Sequence, residues 1–290
     1  MSYCPNGYII AYLYENITQD KDKLKEIFET SPVTALQYGV TEGYKPLIDR
    51  LTAFVKDRYN IGKDFDSLIV TSGAQQVMDL ATKALCDFGD TVICECPSFI
   101  GSLNCFRSYG CKLAGVPVEA DGMNIDELEK TIKKAVNPRF IYTIPNFQNP
   151  SGATMSLEKR KAVYELAKKY GLLILEDNPY GDLRISGENI PSIKSMDKDG
   201  IVMYSRTFSK ILAPGIRVGY ISAPKEIIGK MIVCKQVSDV HSNIWAQLLA
   251  YKFMTSVDIN EHIRGLQEIY RKKCSLMVEQ MKKHFSSKIK

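Results

Sequence analysis

From about residue 67 onward, short apolar runs alternate with amphipathic stretches of helical period, and that alternation leaves few folds open. The strand candidates are residues 68–71, 91–94, 112–116, 140–144, 172–175, 201–204 and 218–222. These runs are too apolar for a sheet with one face in water, so helices must cover both faces, and such sheets are mostly parallel. The expected class is α/β, a three-layer αβα fold around a mostly parallel seven-stranded sheet. In a sheet of this kind ligands bind beyond the carboxyl ends of the strands.

The stretches between the strands carry their own signals. In residues 124–134, Ile125, Leu128 and Ile132 recur at helical spacing, with Asn124 placed as N-cap and Glu127 as the reciprocal half of a capping box. In residues 157–169, Val163, Leu166 and Ala167 share a face, and Gly171 stands where a left-handed residue ends a helix. Residues 261–285 read as one long helix, striped by Ile263, Leu266, Ile269, Tyr270, Cys274, Met277 and Met281. His241-Ser242-Asn243 reads as a polar turn before a further helix, and His241, His262 and His284 find no chemical role.

Composition removes several function classes. The formal net charge is only +5, and basic pairs such as Lys133-Lys134 and Lys168-Lys169 lie on solvated helix faces, which argues against a nucleic-acid surface. The eight cysteines are dispersed; Cys94 and Cys96 share one face of a strand and read as core packing, and no His/Cys group has zinc-site spacing. The N-terminal residues lack a basic n-region, and no apolar run approaches the roughly 18 residues of a membrane span. We therefore expect a cytoplasmic, reduced protein with no metal and no membrane or nucleic-acid partner.

The densest chemistry lies in the run from Ser205 to Arg217, Ser-Arg-Thr-Phe-Ser-Lys-Ile-Leu-Ala-Pro-Gly-Ile-Arg. Its amine, Lys210, can form a Schiff base with an aldehyde, while the hydroxyls and a guanidinium can bind a phosphate dianion. Glu176-Asp177-Asn178-Pro179-Tyr180 directly follows a strand; a buried carboxylate there favours a protonated ring nitrogen beside it, and the plainer reading is a solvated acidic turn. Another strand ends in Pro145-Asn146-Phe147-Gln148-Asn149-Pro150-Ser151-Gly152, where Asn-Pro is also an ordinary turn dipeptide. Thr71-Ser72-Gly73-Ala74-Gln75-Gln76 has the strand–turn–helix context that offers backbone N–H groups to a phosphate. Phe99 follows a further strand, and Tyr38 sits in Leu36-Gln37-Tyr38-Gly39.

Taken together and in this order, the segments resemble the class I/II (fold type I) PLP-dependent aminotransferases over roughly residues 33 to 285. The resemblance is nearest the branch of the 2-aminoadipate and kynurenine aminotransferases and the aminotransferase domains of MocR-type regulators. It implies pyridoxal 5'-phosphate (PLP) as cofactor, with Lys210 as its covalent anchor and proton carrier, Asp177 at the pyridine nitrogen, and Tyr180 and Asn149 at the ring oxygen. Asn149 would also face the substrate carboxylate, Phe99 would stack on the ring, and Gly73, Ala74, Gln75, Thr207 and Arg217 would hold the phosphate. Ala74 stands where the family commonly has serine, which removes a hydroxyl but leaves the N–H. Tyr38 matches a tyrosine that reaches the neighbouring subunit's phosphate, so a homodimer acting on an amino acid and a 2-oxo acid is implied.

The resemblance weakens at both ends. It makes residues 33–260 the cofactor-binding large domain and residues 261–290 a helix leading to a small C-terminal domain that finds no match here. That domain carries the family's carboxylate-binding arginine; Arg264 and Arg271 match no such position. Residues 1–32, with Tyr3, Tyr8, Tyr12 and Tyr14, are an atypical N-terminal segment. A catalytically deficient PLP-binding sensor, or a partial chain of a longer or split aminotransferase, stays open as an alternative.

Overall fold

The computed structural model describes residues 21–286, so the tyrosines at positions 3, 8, 12 and 14 lie outside the described residues. The described chain opens with α1 (Lys21–Thr30), α2 (Pro32–Leu36) and α3 (Lys45–Tyr59). It continues through β1 (Asp66–Thr71), α4 (Ala74–Leu85), β2 (Thr91–Cys96), α5 (Ile100–Ser108), β3 (Lys112–Glu119) and a two-residue β4 (Gly122–Met123). Next come α6 (Ile125–Lys134), β5 (Pro138–Thr143), α7 (Leu157–Tyr170), β6 (Leu173–Asp177) and α8 (Ile193–Met196). The last elements are β7 (Val202–Thr207), β8 (Gly219–Pro224), α9 (Lys225–Gln236), α10 (Ile244–Ser256) and α11 (Ile259–His284).

All seven expected strands are present, in the spatial order β1-β8-β7-β6-β5-β2-β3, and β4 adds a short eighth at the edge. Pairing is parallel from β7 through β6, β5 and β2 to β3, whereas β8 runs antiparallel to both of its neighbours. The reversal of β8 has a simple cause. Only two 3-10 turns separate it from β7, and without a crossover helix a returning strand must run the other way.

Side chains alternate between two cores. Val92, Cys94, Phe140, Tyr142, Leu175 and Met203 face one helical layer, meeting Val77 and Met78 of α4, Phe106 of α5 and Met231 of α9. Ile93, Ile141, Ile174 and Val202 face the other, against Leu128 and Ile132 of α6 and Val163 and Ala167 of α7. On that second face α3, α10 and α11 cover Leu68, Val70, Tyr204 and Tyr220. Each such buried aliphatic side chain contributes about 1.5–3 kcal/mol, which explains why the strand runs are mostly apolar on both faces.

Local signals hold with three adjustments. Asn124 Oδ1 accepts from Glu127 N at 2.9 Å, but the Glu127 carboxylate takes Lys130 Nζ at 2.7 Å, so only half of the capping box forms. Gly171, at φ 66°, ends α7 as its left-handed cap. The stripe on α11 is buried only through Ile263 and Leu266, while Met277 and Met281 are exposed at 60% and 42%. Cys94 is buried but Cys96, the last residue of β2, is exposed, because it has passed beyond the cover of the helices. The seven described cysteines are free thiols. Among the described residues no helix is long and apolar enough to cross a membrane, and no cluster of three or more His, Cys, Asp or Glu side chains is suited to a metal ion.

Candidate active site

Strands β1, β2, β5, β6 and β7 all point their carboxyl ends the same way, and the segments that follow them meet there. At the centre is Asp177, the last residue of β6, only 5% exposed. Ser205 Oγ on β7 donates to its Oδ1 at 3.1 Å, and the Tyr142 hydroxyl on β5 donates to its Oδ2 at 3.2 Å. Burial lifts the Asp177 pKa to about 6, and the two hydroxyls restrain the rise. The acidic pair is therefore not a solvated turn. Glu176 is fully buried too, but on the opposite face, where it accepts Ile193 N at 3.1 Å and Lys194 N at 2.8 Å.

Lys210 ends the 3-10 turn that follows β7, with Nζ 5.9 Å from the centre of the Tyr180 ring. Burial raises the Tyr180 pKa, and the Asn149 side chain beside its hydroxyl restrains the rise. Arg206, which neighbours the lysine turn, faces away from these groups. It is buried in an ion pair with Asp182 and lies 4.6 Å over the Tyr59 ring. His262 braces the same turn from α11, its Nε2 2.6 Å from the Ile211 carbonyl.

The phosphate-type turn follows β1. Gly73, at φ 76°, takes a conformation that L side chains rarely adopt, and a Cβ there would lie 2.5 Å from Arg217 Nη2. Gly219 closes the opposite side, and a Cβ on it would meet Gly73 C at 2.7 Å, Ala74 N at 2.9 Å and the Arg206 carbonyl at 2.9 Å. The N–H groups at the start of α4, the Arg217 guanidinium and the end of β7 are thus neighbours. At that end of β7, Thr207 Oγ1 lies 2.9 Å from Ser209 Oγ and accepts from Ser209 N at 3.1 Å. Gln76 serves the turn rather than a ligand: its Oε1 accepts from Ser72 N and from the buried Lys235 Nζ, both at 2.8 Å.

Phe99 precedes α5 and packs against Gly101, where a Cβ would lie 2.7 Å from its ring. Gln75 ties this segment to the phosphate-type turn, its Nε2 donating to the Gly101 carbonyl at 3.1 Å. Tyr38 lies apart from this group. It is 81% exposed and its ring meets only His241 edge-on at 5.8 Å among the described aromatic contacts.

Three further side chains touch or flank the centre. Tyr142 reads as an ordinary strand residue and Ser205 as the first hydroxyl of the lysine run, and Glu95 on β2 is buried with its pKa lifted to about 7, mainly by burial. The strand register, which pairs Tyr142 with Leu175 and Ser205 with Asp177, puts Tyr142 and Ser205 on the face of the Asp177 side chain. The donor set suits one kind of ligand. A buried carboxylate matches a protonated ring nitrogen, the amine matches an aldehyde, and Gly73, Ala74, Gln75, Thr207 and Arg217 can cradle a phosphate dianion. PLP carries all three of those groups.

Known proteins match this chain on the same ground. The family profile described as aminotransferase class I and II matches residues 11–288. An aromatic-amino-acid aminotransferase of Thermococcus litoralis is 37% identical over 270 residues, 92% of this chain and 65% of that protein. A 2-aminoadipate transaminase of Thermus thermophilus is 33% identical over 259 residues, 88% of this chain and 63% of that protein. The solved kynurenine aminotransferase of Pyrococcus horikoshii, in complex with PMP, superposes with a TM-score of 0.89 at 35% identity, over 92% of this chain and 67% of that one. The chain thus spans under two thirds of the two curated relatives. By sequence and by fold it belongs to the class I and II aminotransferases.

Proposed function

We propose that this chain is the cofactor-binding part of a PLP-dependent aminotransferase, moving an amino group from an amino acid to a 2-oxo acid. The observation that carries the reading is the convergence of Asp177, Tyr180 and Lys210 at the carboxyl end of the sheet, with Asp177 buried between two hydroxyls. When bound, PLP supplies a carbonyl carbon for amines and a ring that takes up the electron pair released at the substrate α carbon.

The chain's own groups do the rest in this reading. Asp177, lifted to about 6 by burial in the PLP-free chain, would be held ionised by the ring nitrogen's positive charge and would in turn keep that nitrogen protonated, away from water. Tyr180 and Asn149, side by side, would orient the ring through its oxygen, and Asn149 would also face the substrate carboxylate. Gly73, Ala74 and Gln75 bind the phosphate through backbone N–H groups at the start of α4, where the helix dipole favours an anion. Thr207 and Arg217 complete that cradle, with the Ser209 hydroxyl beside them. Phe99 covers a ring face and excludes water. Lys210 Nζ would hold the cofactor's carbonyl carbon and, as a free amine, would accept the proton of the substrate α carbon and give it back as a single general acid–base group.

The reading extends to assembly and setting. Residues 33–260 form the cofactor-binding domain, with 261–290 as the link onward. A homodimer in which Tyr38 reaches the neighbouring subunit's phosphate is supported by the exposed apolar strip of Val33, Leu36, Tyr38 and Val40, at 74%, 76%, 81% and 60%. Free thiols suit a cytoplasmic setting. The relatives' names point to aromatic amino acids, kynurenine and 2-aminoadipate as the substrates to try first.

The test is an absorption spectrum of the purified chain with PLP, followed by titration with those amino acids. A lysine-linked band that converts to the amine form of the cofactor is expected. No band at all overturns the reading. A band that ignores every amino acid favours a second reading, a cofactor-binding domain without turnover of its own.

A further inference from the structure

The loops after β2 and β5 carry Phe99 and Asn149, and they are tied through one buried pair. Glu95, 2% exposed, reaches from β2 to the end of β5. Its carboxylate accepts Thr143 Oγ1 at 2.6 Å, Ile144 N at 3.1 Å and Gln148 Nε2 at 3.1 Å. Gln148, 3% exposed, also donates from Nε2 to the Pro97 carbonyl at 2.9 Å, which crosses to the loop that leads to Phe99. Its Oε1 accepts Ser151 N at 2.8 Å and Ser151 Oγ at 2.6 Å. Its backbone N–H reaches the Ala153 carbonyl at 2.8 Å, and its carbonyl accepts Gly152 N at 2.6 Å. The loop that presents Asn149 is therefore closed around the Gln148 side chain.

We propose that Glu95 and Gln148 are positioning residues that lock the Asn149 loop to the Phe99 loop, holding two sides of the cofactor pocket in register. The proposal rests on the PLP reading above. A buried carboxylate costs several kcal/mol unless fully hydrogen-bonded, and well-packed apolar residues would serve stability alone at least as well. A fully satisfied buried network instead contributes one defined geometry. Asn149 directly follows Gln148 in the loop that the clamp closes, so a shift of the clamp moves Asn149. The clamp holds the two loops that carry Asn149 and Phe99, so its effect acts through those two residues.

The test combines hydrogen-exchange mass spectrometry of the PLP-free chain with PLP titration, on wild type, Gln148→Ala, Glu95→Gln and the milder Ser151→Ala. Gln148→Ala is expected to speed exchange over residues 147–154 and 97–102 while leaving α4 and α7 at wild-type protection. It should also weaken PLP about tenfold and reduce the visible circular dichroism of the bound cofactor, with Ser151→Ala and Glu95→Gln shifting the same readouts in the same direction. Unchanged loop exchange in Gln148→Ala overturns the clamp. So does faster exchange spread evenly over the whole chain, or unchanged affinity and dichroism despite loosened loops. A wild-type chain that binds no PLP sinks the functional reading instead, and the exchange data still decide whether the pair ties the loops.

Discussion

The Tyr142 hydroxyl donates to Asp177 Oδ2 at 3.2 Å across the β5–β6 pair, and Ser102 Oγ of α5 donates to the same phenol oxygen at 2.8 Å. A chain of hydroxyls thus runs from the first helical turns of α5 to the central carboxylate. Its effect is to stabilise the charged form of Asp177 in a place where burial opposes it.

Tyr142→Phe removes that donor and leaves the buried Ser102 hydroxyl without its acceptor. A loss of about 1–3 kcal/mol in urea unfolding is expected. In the PLP-free chain the Asp177 pKa should climb further above about 6, so its part of the fall in stability with rising pH moves to higher pH. A stability profile that stays in place would separate Tyr142 from the ionisation of Asp177.

Asp177 and Glu95 are both raised, to about 6 and about 7, from unfolded values of roughly 4. For a raised carboxyl pKa the folded state binds the extra proton. The contribution is complete below pH 4 or so and is lost as pH rises through the folded value. The PLP-free chain should therefore lose stability between about pH 4 and 7 on account of these two groups. Asp177→Asn should flatten the lower part of that slope and stabilise the PLP-free chain at pH 8 by about 1–2 kcal/mol. The same change should slow amino transfer about a hundredfold or more while weakening PLP less than tenfold. Equal losses in both would count against an electronic role for the carboxylate.

Gly219→Ala drives a methyl group into Gly73 C at 2.7 Å and Ala74 N at 2.9 Å, both backbone atoms with no rotamer to yield. The expected cost is about 1–3 kcal/mol of stability, with PLP binding weakened further because the N–H groups at the start of α4 are displaced. Thermal melts with and without PLP separate the two effects. A variant with normal PLP affinity would remove the turn from the phosphate site.

Lys210→Ala should abolish the lysine-linked absorption band while leaving phosphate-driven binding of PLP measurable. Added alkylamine should restore part of the proton transfer, since the missing group is a general base. A lysine-linked band that persists in this variant would refute the assignment of the anchor.

Much of this site was legible because its parts are local. Lys210 and Arg217 lie within eight residues of each other, and Gly73-Ala74 follows a strand and opens a helix. Asp177 was readable because a carboxylate that directly follows an apolar strand is held where the strand ends. Tyr142, Ser205, Glu95 and Gln148 were not readable. Each is an ordinary residue of a strand or turn whose role comes from a neighbour on another strand. Cys96 was misread for a related reason, since strand alternation names a face but not how far the helices extend over it.

The sequence by itself determined which stretches become strands, which become helices and where several of them stop. Those outcomes depend on periodicity, caps and turn residues a few positions apart. Only the tertiary structure decided that β8 lies between β1 and β7, that Asp177 faces Tyr142 and Ser205 while Glu176 faces away, and that Gln148 joins two loops. Strand order and side-chain pairing join residues far apart in the chain, and packing around a shared core selects among such pairings.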